Sequence, residues 1–316
     1  MKKNTLDFPA VQILHQSKQF DKAEAGYLAL LRKNPHDANL LHALGILYAQ
    51  TEKFIEAAHY FKTALQHKPD DPILQLHLAN ALKVLGELGQ AAALLQSTTQ
   101  NHPNYALAFN NLGTIYHLQK KFSSAINSYQ RAIEIEPTFI DAWYNLGLAY
   151  INHHQTDDAI RIYQKILDLS PEHFAARFQL ARALMQHENY NDALTEFLQI
   201  EKSQPYHTET QENIAICYLK KGLLNQAKQH YKNALELREN DTQILFNLGV
   251  IETQLGNIDN AIQYYQKSVI IDPDFFAAHN NLGTAFLFKQ HSAFALQHFQ
   301  QAARLQPENR SLQYTI

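Results

Sequence analysis

The sequence predicts an all-α protein built from tandem copies of one helical unit, and three observations support this prediction. Prolines recur 34 residues apart at Pro35, Pro69, Pro103, Pro137, Pro171, Pro205, Pro273 and Pro307, with Glu239 at the one missing place. Alanines recur with the same period at Ala23, Ala57, Ala91, Ala125, Ala159, Ala193, Ala227, Ala261 and Ala295. Each period holds two apolar stretches at helical spacing. A fixed period of this length indicates stacked supersecondary units, each too small to bury its own apolar face.

Within each unit the apolar positions predict a pair of packed helices. Position 1 is defined here as the third residue after each recurrent proline or after Glu239. In the regular repeats position 7 is then leucine or isoleucine and position 8 is glycine or alanine. Position 24 is aromatic in every unit except one, where it is Leu95. Small residues at positions 8 and 20 allow the two helices to approach closely, and the proline ends the second helix. We expect Asp37, Asp70, Asp71 and Asp274 to cap the following helices.

The period also predicts the domain organisation. Residues 1–37 form an atypical N-terminal capping repeat, with Pro9 inside its opening helix. Eight regular repeats follow, over residues 38–71, 72–105, 106–139, 140–173, 174–207, 208–241, 242–275 and 276–309, and residues 310–316 begin a further helix. Because no linker or low-complexity tract interrupts the period, we expect one continuous solenoid.

The pattern resembles the tetratricopeptide repeat family, whose repeat carries Trp, Leu-Gly, Tyr, Ala, Phe, Ala and Pro at these offsets. The segment from Trp143 to Tyr150, which reads WYNLGLAY, is the best single match. The resemblance implies about nine 34-residue helix-turn-helix repeats in a right-handed superhelix. It also implies that positions 2, 5, 6, 9, 12 and 13 of each first helix face a concave groove.

Composition and charge argue against several classes of function. The net charge of −3 comes from scattered residues, so no basic stripe suggests a nucleic-acid partner. No apolar run approaches the roughly 18 residues of a membrane span, and the N-terminus does not resemble a signal peptide. The single cysteine, Cys217, cannot form an internal disulfide and favours a reducing cytoplasm.

The sequence shows no catalytic or metal-binding pattern. The 17 histidines are scattered over the repeat positions, and only His291 and His298 share a helix face. No phosphate-binding loop, nucleophile motif or paired acid and base is present. We therefore expect no enzyme activity, no cofactor and no metal.

Groove positions 5 and 6 carry the main functional signal, which is a recurrent carboxamide. Position 6 holds Asn111, Asn145, Gln179, Asn213, Asn247 and Asn281, whereas position 5 holds Asn110, Tyr144, Phe178, Glu212, Phe246 and Asn280 in the corresponding repeats. A carboxamide can pair with both the N–H and the C=O of a peptide group, so a row of them suits an extended ligand. The row resembles the asparagine ladder in the repeat arms of O-GlcNAc transferases. Alternatively, asparagine is simply tolerated on an exposed helix face.

Two details refine this hypothesis. Tyr144, Phe178 and Arg182 are predicted to supply an anchor pocket, because rings that point away from the helix-pair core gain little from burial. Asn80 at position 9 and Asn111 at position 6 supply half of the clamp with which some family members hold the acidic tail of chaperones. Its lysines are absent from positions 2 and 5, so chaperone-tail binding is not expected.

The sequence therefore predicts a non-catalytic, cytoplasmic scaffold that binds an extended protein or peptide segment. The alternative is the recognition arm of a larger enzyme, a glycosyltransferase or methyltransferase, whose catalytic domain would follow residue 316. A third alternative is a purely structural assembly subunit. At the C-terminal repeat, Phe294 and Phe299 are expected to form an uncapped apolar face that promotes self-association.

Overall fold

A computed structural model describes residues 7–307, which contain eighteen α-helices and no strand. The predicted further helix at 310–316 lies outside the described residues. The helices are α1 (Phe8–Gln16), α2 (Phe20–Leu31), α3 (Ala38–Gln50), α4 (Phe54–His67), α5 (Pro72–Val84), α6 (Leu88–Asn101), α7 (Ala106–Leu118), α8 (Phe122–Ile135), α9 (Ile140–Asn152), α10 (Thr156–Leu169), α11 (Phe174–Gln186), α12 (Tyr190–Ser203), α13 (Thr208–Lys220), α14 (Leu224–Leu237), α15 (Thr242–Gln254), α16 (Ile258–Ile271), α17 (Phe276–Phe288) and α18 (Ser292–Leu305). No described helix is long and apolar enough to span a bilayer. The prediction of an all-α repeat fold is confirmed.

The helices pair as the period predicts, and the first helix of every regular repeat begins at position 1. The second helices end just before the recurrent proline, as α4 does at His67, two residues before Pro69. Helix α14 ends at Leu237, two residues before Glu239, so the chain leaves the helix there without a proline. The proline is therefore not required for the second helix to end at this place.

The described helices form two compact units, Met1–Pro171 and Glu172–Ile316, whereas the period predicts a single continuous array. The boundary lies in a turn between repeats, which is where a repeat array divides because each repeat contacts mainly its neighbours. The first unit holds α1 to α10 and the second holds α11 to α18. Each is described by itself below.

Position 8 glycines provide the close helix crossings predicted from the sequence, and their partner is the position 24 ring of the same repeat. A Cβ atom built on Gly147 would lie 2.6 Å from Cε1 of Tyr163, and one on Gly249 would lie 2.5 Å from Cε1 of Tyr265. Gly45, Gly113 and Gly283 face Phe61, Tyr129 and Phe299 in the same way. The position 24 rings thus pack mainly within their own helix pair.

In the first repeat the two helices also cross closely, but the glycine lies on the second helix and the larger side chain on the first. Val11 occupies position 8, and its side chain lies 2.7 Å from where a Cβ atom of Gly26 would stand on the second helix. The helix α1 begins at Phe8 with Asp7 as its cap, so Pro9 lies in the first turn, where proline is tolerated. The predicted place of Pro9 inside the opening helix is therefore confirmed.

Helix caps match the sequence prediction in part. The side chains of Asp37 and Asp71 accept backbone N–H groups at the starts of α3 and α5. Asp70 and Asp274 do not cap helices, since each lies one residue before the N-cap residue of its helix. The imidazole of His207 accepts the N–H of Thr210 and caps α13.

The turn between the two helices of each repeat has a left-handed residue that sequence reasoning missed. Positive φ values recur every 34 residues at Lys18, Glu52, Gly86, Lys120, His154, Glu188, Gly222, Gly256 and Gln290. Three of the nine are glycine, which adopts this conformation without the steric cost that other residues incur. The tertiary packing of the helix pair therefore overrides local preference at the other six turns.

Candidate functional site

The first helices of successive repeats lie side by side, and we call the surface that they share within one unit the first-helix face. In the first unit α3 contacts α5, α5 contacts α7 and α7 contacts α9. In the second unit α15 contacts α17. Side chains on these helices can consequently bridge from one repeat to the next.

Four asparagines of the first unit form a hydrogen-bonded carboxamide chain across three repeats. Asn145 donates from Nδ2 to Oδ1 of Asn110 at 3.0 Å, and Asn110 donates to Oδ1 of Asn111 at 3.4 Å. Asn111 in turn donates to Oδ1 of Asn80 at 3.2 Å. Asn110 is buried, with 7% of its surface exposed, and the other three are half-buried. These residues, predicted as independent ligand contacts, are therefore also bonded to each other.

The carboxamide chain shows a pairing of side chains between adjacent repeats that was not predicted from the sequence. At two places in the first unit, a position 5 side chain meets the position 6 side chain of the next repeat, 35 residues later. Asn110 meets Asn145 in this way, and Nε2 of His42 lies 2.7 Å from Nδ1 of His77. The signal was present in the sequence, because polar residues occupy both positions in those neighbouring repeats. Because His42 and His77 lie on different helices, a comparison of residues along one helix does not show this pairing.

In the second unit the position 6 asparagines bond to other partners. Asn247 donates to the hydroxyl of Tyr231 at 3.2 Å, and Asn281 donates to the hydroxyl of Tyr265 at 3.4 Å. Each tyrosine is the position 24 ring of the preceding repeat, so the bond links adjacent repeats. Asn213 donates instead to the backbone carbonyl of Glu209, one turn earlier in its own helix. A buried tyrosine hydroxyl thus obtains its partner from the first-helix face.

The expectation that position 5 rings are exposed is wrong for Phe178. Its side chain is only 7% exposed and packs against Phe197 of α12, with ring centroids 5.7 Å apart, and against His207, 5.4 Å away. The ring fills the junction between adjacent repeats, which gives it the burial that the sequence analysis denied it. Phe246 similarly packs 5.1 Å from Phe275. Phe178 is consequently a packing residue of the second unit.

The remaining candidates retain exposed surface. Tyr144 belongs to the first unit and packs 6.1 Å from Tyr163 while remaining half-buried. In the second unit Arg182 is exposed, and Gln179 and Asn280 are half-buried. These four side chains keep surface that a ligand could contact. The predicted grouping of Tyr144 with Phe178 and Arg182 stays a prediction.

The first-helix face of the first unit contains a cavity of about 310 Å³ between α3 and α5. Its apolar lining includes Ile46 and Ala49 of α3, Val84 of α5, and Phe54 and Phe61 of α4. Ile46, Ala49 and Val84 occupy groove positions 9, 12 and 13 of their first helices. The carboxamide chain reaches the cavity at Asn80. Sequence reasoning named Asn80 but not the cavity, which depends on how two helices pack.

Burial shifts several titratable groups. The pKa of His42 falls to about 4, first because burial disfavours the charged imidazole and then because His77 lies beside it. Burial likewise lowers the pKa of His77 and raises that of the Cys217 thiol to about 11. Cys217 is fully buried and largely protonated at neutral pH, so its thiol is poorly suited to nucleophilic chemistry.

The second unit has an exposed apolar patch near its last helix pair. Phe288 is 67% exposed and Phe294 is 56% exposed. Phe299, which the sequence analysis placed on this face, is 2% exposed and packs near Gly283. The exposed large apolar side chains of α17 and α18, together called the exposed patch, are Leu287, Phe288, Phe294 and Leu296.

Sequence models of the tetratricopeptide repeat match most of the chain. They cover residues 12–72, 48–112, 113–153, 152–209 and 206–274. A comparison with curated protein sequences returned no match.

Solved structures support the same assignment at the level of the fold. A tetratricopeptide repeat protein from Parabacteroides merdae is 18% identical with a TM-score of 0.56, covering 79% of this chain and 98% of that one. Pseudomonas aeruginosa pilF is 19% identical with a TM-score of 0.54, covering 66% and 96%. A chain of the Cut9–Hcn1 hetero-tetramer is 19% identical with a TM-score of 0.50, and the match covers 94% of this chain but only 58% of that one. With this repeat pattern, these helix pairs and these matches, the chain belongs to the tetratricopeptide repeat family.

Proposed function

We propose that this protein is a non-catalytic interaction scaffold whose first-helix faces bind an extended segment of a partner protein. Arrays of tetratricopeptide repeats serve in general as protein-interaction scaffolds, and the proposal adds the surface and the form of the ligand. The observation that carries it is the carboxamide chain from Asn145 to Asn80, which lies beside an open cavity.

The bonds within the chain leave hydrogen-bonding capacity for a ligand. A carboxamide has two N–H donors and an oxygen with two lone pairs. Asn80 uses its oxygen in the chain and keeps both N–H groups, whereas Asn145 uses one N–H group and keeps its oxygen. Such groups can pair with the C=O and N–H groups of an extended backbone. We thus propose that these asparagines bind a peptide backbone in the way that the resemblance to the asparagine ladder of O-GlcNAc transferase repeat arms implies.

The chemistry of the face favours a peptide over a nucleic acid. In the regular repeats of the first unit, the groove positions carry two residues that are charged at neutral pH, Asp141 and Lys83. An amide-rich, nearly neutral surface matches a neutral backbone, whereas a phosphate backbone requires several cations. No observation on the described residues favours the alternative of an enzyme's recognition arm. A cytoplasmic location, suggested by the single cysteine, is part of the proposal.

The experiment is a selection of random twelve-residue peptides displayed on phage, with the whole chain as the target. Hydrogen exchange with a selected peptide bound should then protect the first helices α5, α7 and α9 or α13, α15 and α17. Protection confined to the second helices would overturn the proposed surface, and failure to select any peptide would overturn the proposed ligand.

A triple variant tests the carboxamides themselves. Asn111→Ala/Asn145→Ala/Asn247→Ala removes two of the proposed bonds from a peptide on the first unit and one from a peptide on the second. A first-unit peptide should bind about 5- to 150-fold more weakly, because each bond contributes ~0.5–1.5 kcal/mol. The matched control is Asn127→Ala/Asn191→Ala/Asn225→Ala, which removes three exposed asparagines from second helices. Since Asn111 and Asn145 also bond within the fold, urea unfolding of both variants must accompany the titration. Equal affinities in folded proteins would contradict the assigned role.

A further inference from the structure

We propose that the cavity between α3 and α5 binds an aromatic side chain of an extended peptide that carries an acidic residue two positions further on. This inference rests on the proposed function and specifies the ligand of the first unit. It commits to an internal segment of a partner protein, with the acidic side chain beside Lys83.

The size and walls of the cavity suit an aromatic ring. A volume of about 310 Å³ holds roughly ten water molecules at ~30 Å³ each, which is comparable to the heavy atoms of one aromatic side chain. The walls come from Ile46, Ala49, Phe54 and Val84, which are apolar. Val84 is 54% exposed, so a ligand ring would cover apolar surface that now faces solvent. Burial of that surface provides the main binding energy.

Asn80 is held in position to bind the backbone of the same ligand. Its oxygen accepts from Asn111, whose own oxygen accepts from Asn110, so the amide orientation of Asn80 is fixed from behind. An amide that accepts at oxygen becomes a better donor at nitrogen, because hydrogen bonds in series polarise one another. The free N–H groups of Asn80 at the cavity therefore suit a peptide carbonyl next to the buried ring.

The charge at the cavity identifies the second part of the ligand. Among the ten residues that line it, Lys83 is the only one charged at neutral pH, and none is a carboxylate. His77, also in the lining, is uncharged at neutral pH because burial lowers its pKa. A ligand that places a carboxylate near Lys83 gains an ion pair, whereas a cationic residue there meets unfavourable charge.

The spacing follows from the geometry of an extended chain. Side chains two residues apart lie on the same side of an extended segment, roughly 6.6 Å from each other. A ring in the cavity thus places the side chain two positions later on the same face, within reach of the long Lys83 side chain. Because the carboxamide chain continues from α5 to α9, the ligand has further partners beyond the cavity. This favours an internal acidic side chain over a C-terminal carboxylate.

The test uses three pools of nonapeptides with an acetylated N-terminus and an amidated C-terminus. Each pool is random except for two fixed residues, which are Phe-x-Glu in the first pool, Phe-x-Gln in the second and Ala-x-Glu in the third. Binding to the whole chain is measured by competition against a labelled peptide from the phage selection that protects α5. The Phe-x-Glu pool should compete about 10- to 100-fold better than Ala-x-Glu, as expected for burial of one large apolar side chain. It should compete about two- to fivefold better than Phe-x-Gln, as expected for a partly exposed ion pair.

Two variants with matched controls locate the effect. Val84→Glu should abolish the preference for phenylalanine, whereas Leu118→Glu, at the same position one repeat later, should preserve it. Lys83→Glu should reverse the preference for glutamate over glutamine, and Lys62→Glu on the exposed side of α4 should not. Circular dichroism checks that each variant folds.

The outcomes separate the two proposals. If selected peptides protect the first-helix face but the three pools compete equally, the cavity inference is wrong and the proposed function stands. The cavity inference is also wrong if Val84→Glu and Leu118→Glu behave alike, or if capped peptides compete less well than peptides with a free C-terminal carboxylate. If no peptide binds the first-helix face, the proposed function itself fails.

Discussion

The contact between Gly147 and Tyr163 gives the most direct test of the packing described above. Substitution Gly147→Ala would place a Cβ atom 2.6 Å from Cε1 and 2.7 Å from Cζ of a ring that is fully buried. Overpacking of this kind costs ~1–3 kcal/mol, whereas alanine in place of glycine favours a helix by up to ~1 kcal/mol. We expect a net loss of ~0–2 kcal/mol from the free energy of unfolding, concentrated in α9 and α10.

Gly89→Ala is the matched control, because it makes the same chemical change where no side chain stands in the way. Gly89 lies in the first turn of α6, and a Cβ atom there would meet no atom within 4 Å. We expect this variant to gain up to ~1 kcal/mol. The two substitutions should therefore differ by ~1–3 kcal/mol, which urea unfolding followed by circular dichroism can resolve.

A second-site change tests whether the ring is the cause. Repeat three contains Ala79 and Leu95 at the two equivalent positions, so Gly147→Ala/Tyr163→Leu reproduces a pair that the fold already uses. Tyr163→Leu alone should destabilise by leaving unfilled space. The double variant should lose less than the sum of the two single variants, by ~1 kcal/mol or more.

Hydrogen exchange localises the effect, since repeats couple mainly to their neighbours. Peptides from α9 and α10 should lose protection in Gly147→Ala, with smaller changes in α3 and α4. The reasoning is refuted if Gly147→Ala stabilises as much as Gly89→Ala, or if the double variant is strictly additive.

Three further predictions follow from particular contacts. Lys120→Gly should raise the free energy of unfolding by about 1 kcal/mol in urea titration, because Lys120 has a φ of 59°; no gain would contradict the assigned strain. Because the folded state binds fewer protons at His42 than the unfolded state, the free energy of unfolding should be highest above pH 6.5 and fall as the pH decreases towards 4. Hydrogen exchange of α3 should show this fall, with the unfolding equilibrium constant rising by up to about tenfold for each pH unit in this range. The variant His42→Asn/His77→Asn should show a smaller pH dependence. An unchanged pH dependence in that variant would rule out the pair as its source. If the exposed patch drives self-association, Phe288→Ser/Phe294→Ser should shift sedimentation towards monomer, whereas sedimentation identical to the parent chain would exclude this patch.

Most of the secondary structure could be predicted from the sequence, because the determinants recur locally. The spacing of prolines and small residues set the helix pairs, and in all eight regular repeats the first helix begins at position 1, from Ala38 to Phe276. The capping aspartates were predicted only in part. Whether Asp70 or Asp71 caps α5 depends on where the first turn starts, which neighbouring packing decides.

The candidate site was less predictable, because its properties depend on contacts between repeats. The sequence placed Asn110 and Asn145 on the correct helices but did not show that they bond to each other. It treated Phe178 as an exposed anchor, although Phe197 of α12 and His207, the N-cap residue of α13, cover the ring. The cavity bounded by Ile46 and Val84 was not predicted at all.

The sequence by itself determined the class, the period and the identity of the repeats, because these follow from residue spacing along single helices. Only the tertiary structure decided which side chains meet across helices. The 35-residue offset that joins Asn110 to Asn145, and His42 to His77, arises from the way one first helix lies against the next. Hydrogen-bond partners, burial and pKa values at those positions depend on that packing, whereas the 34-residue pattern specifies only the helices that carry them.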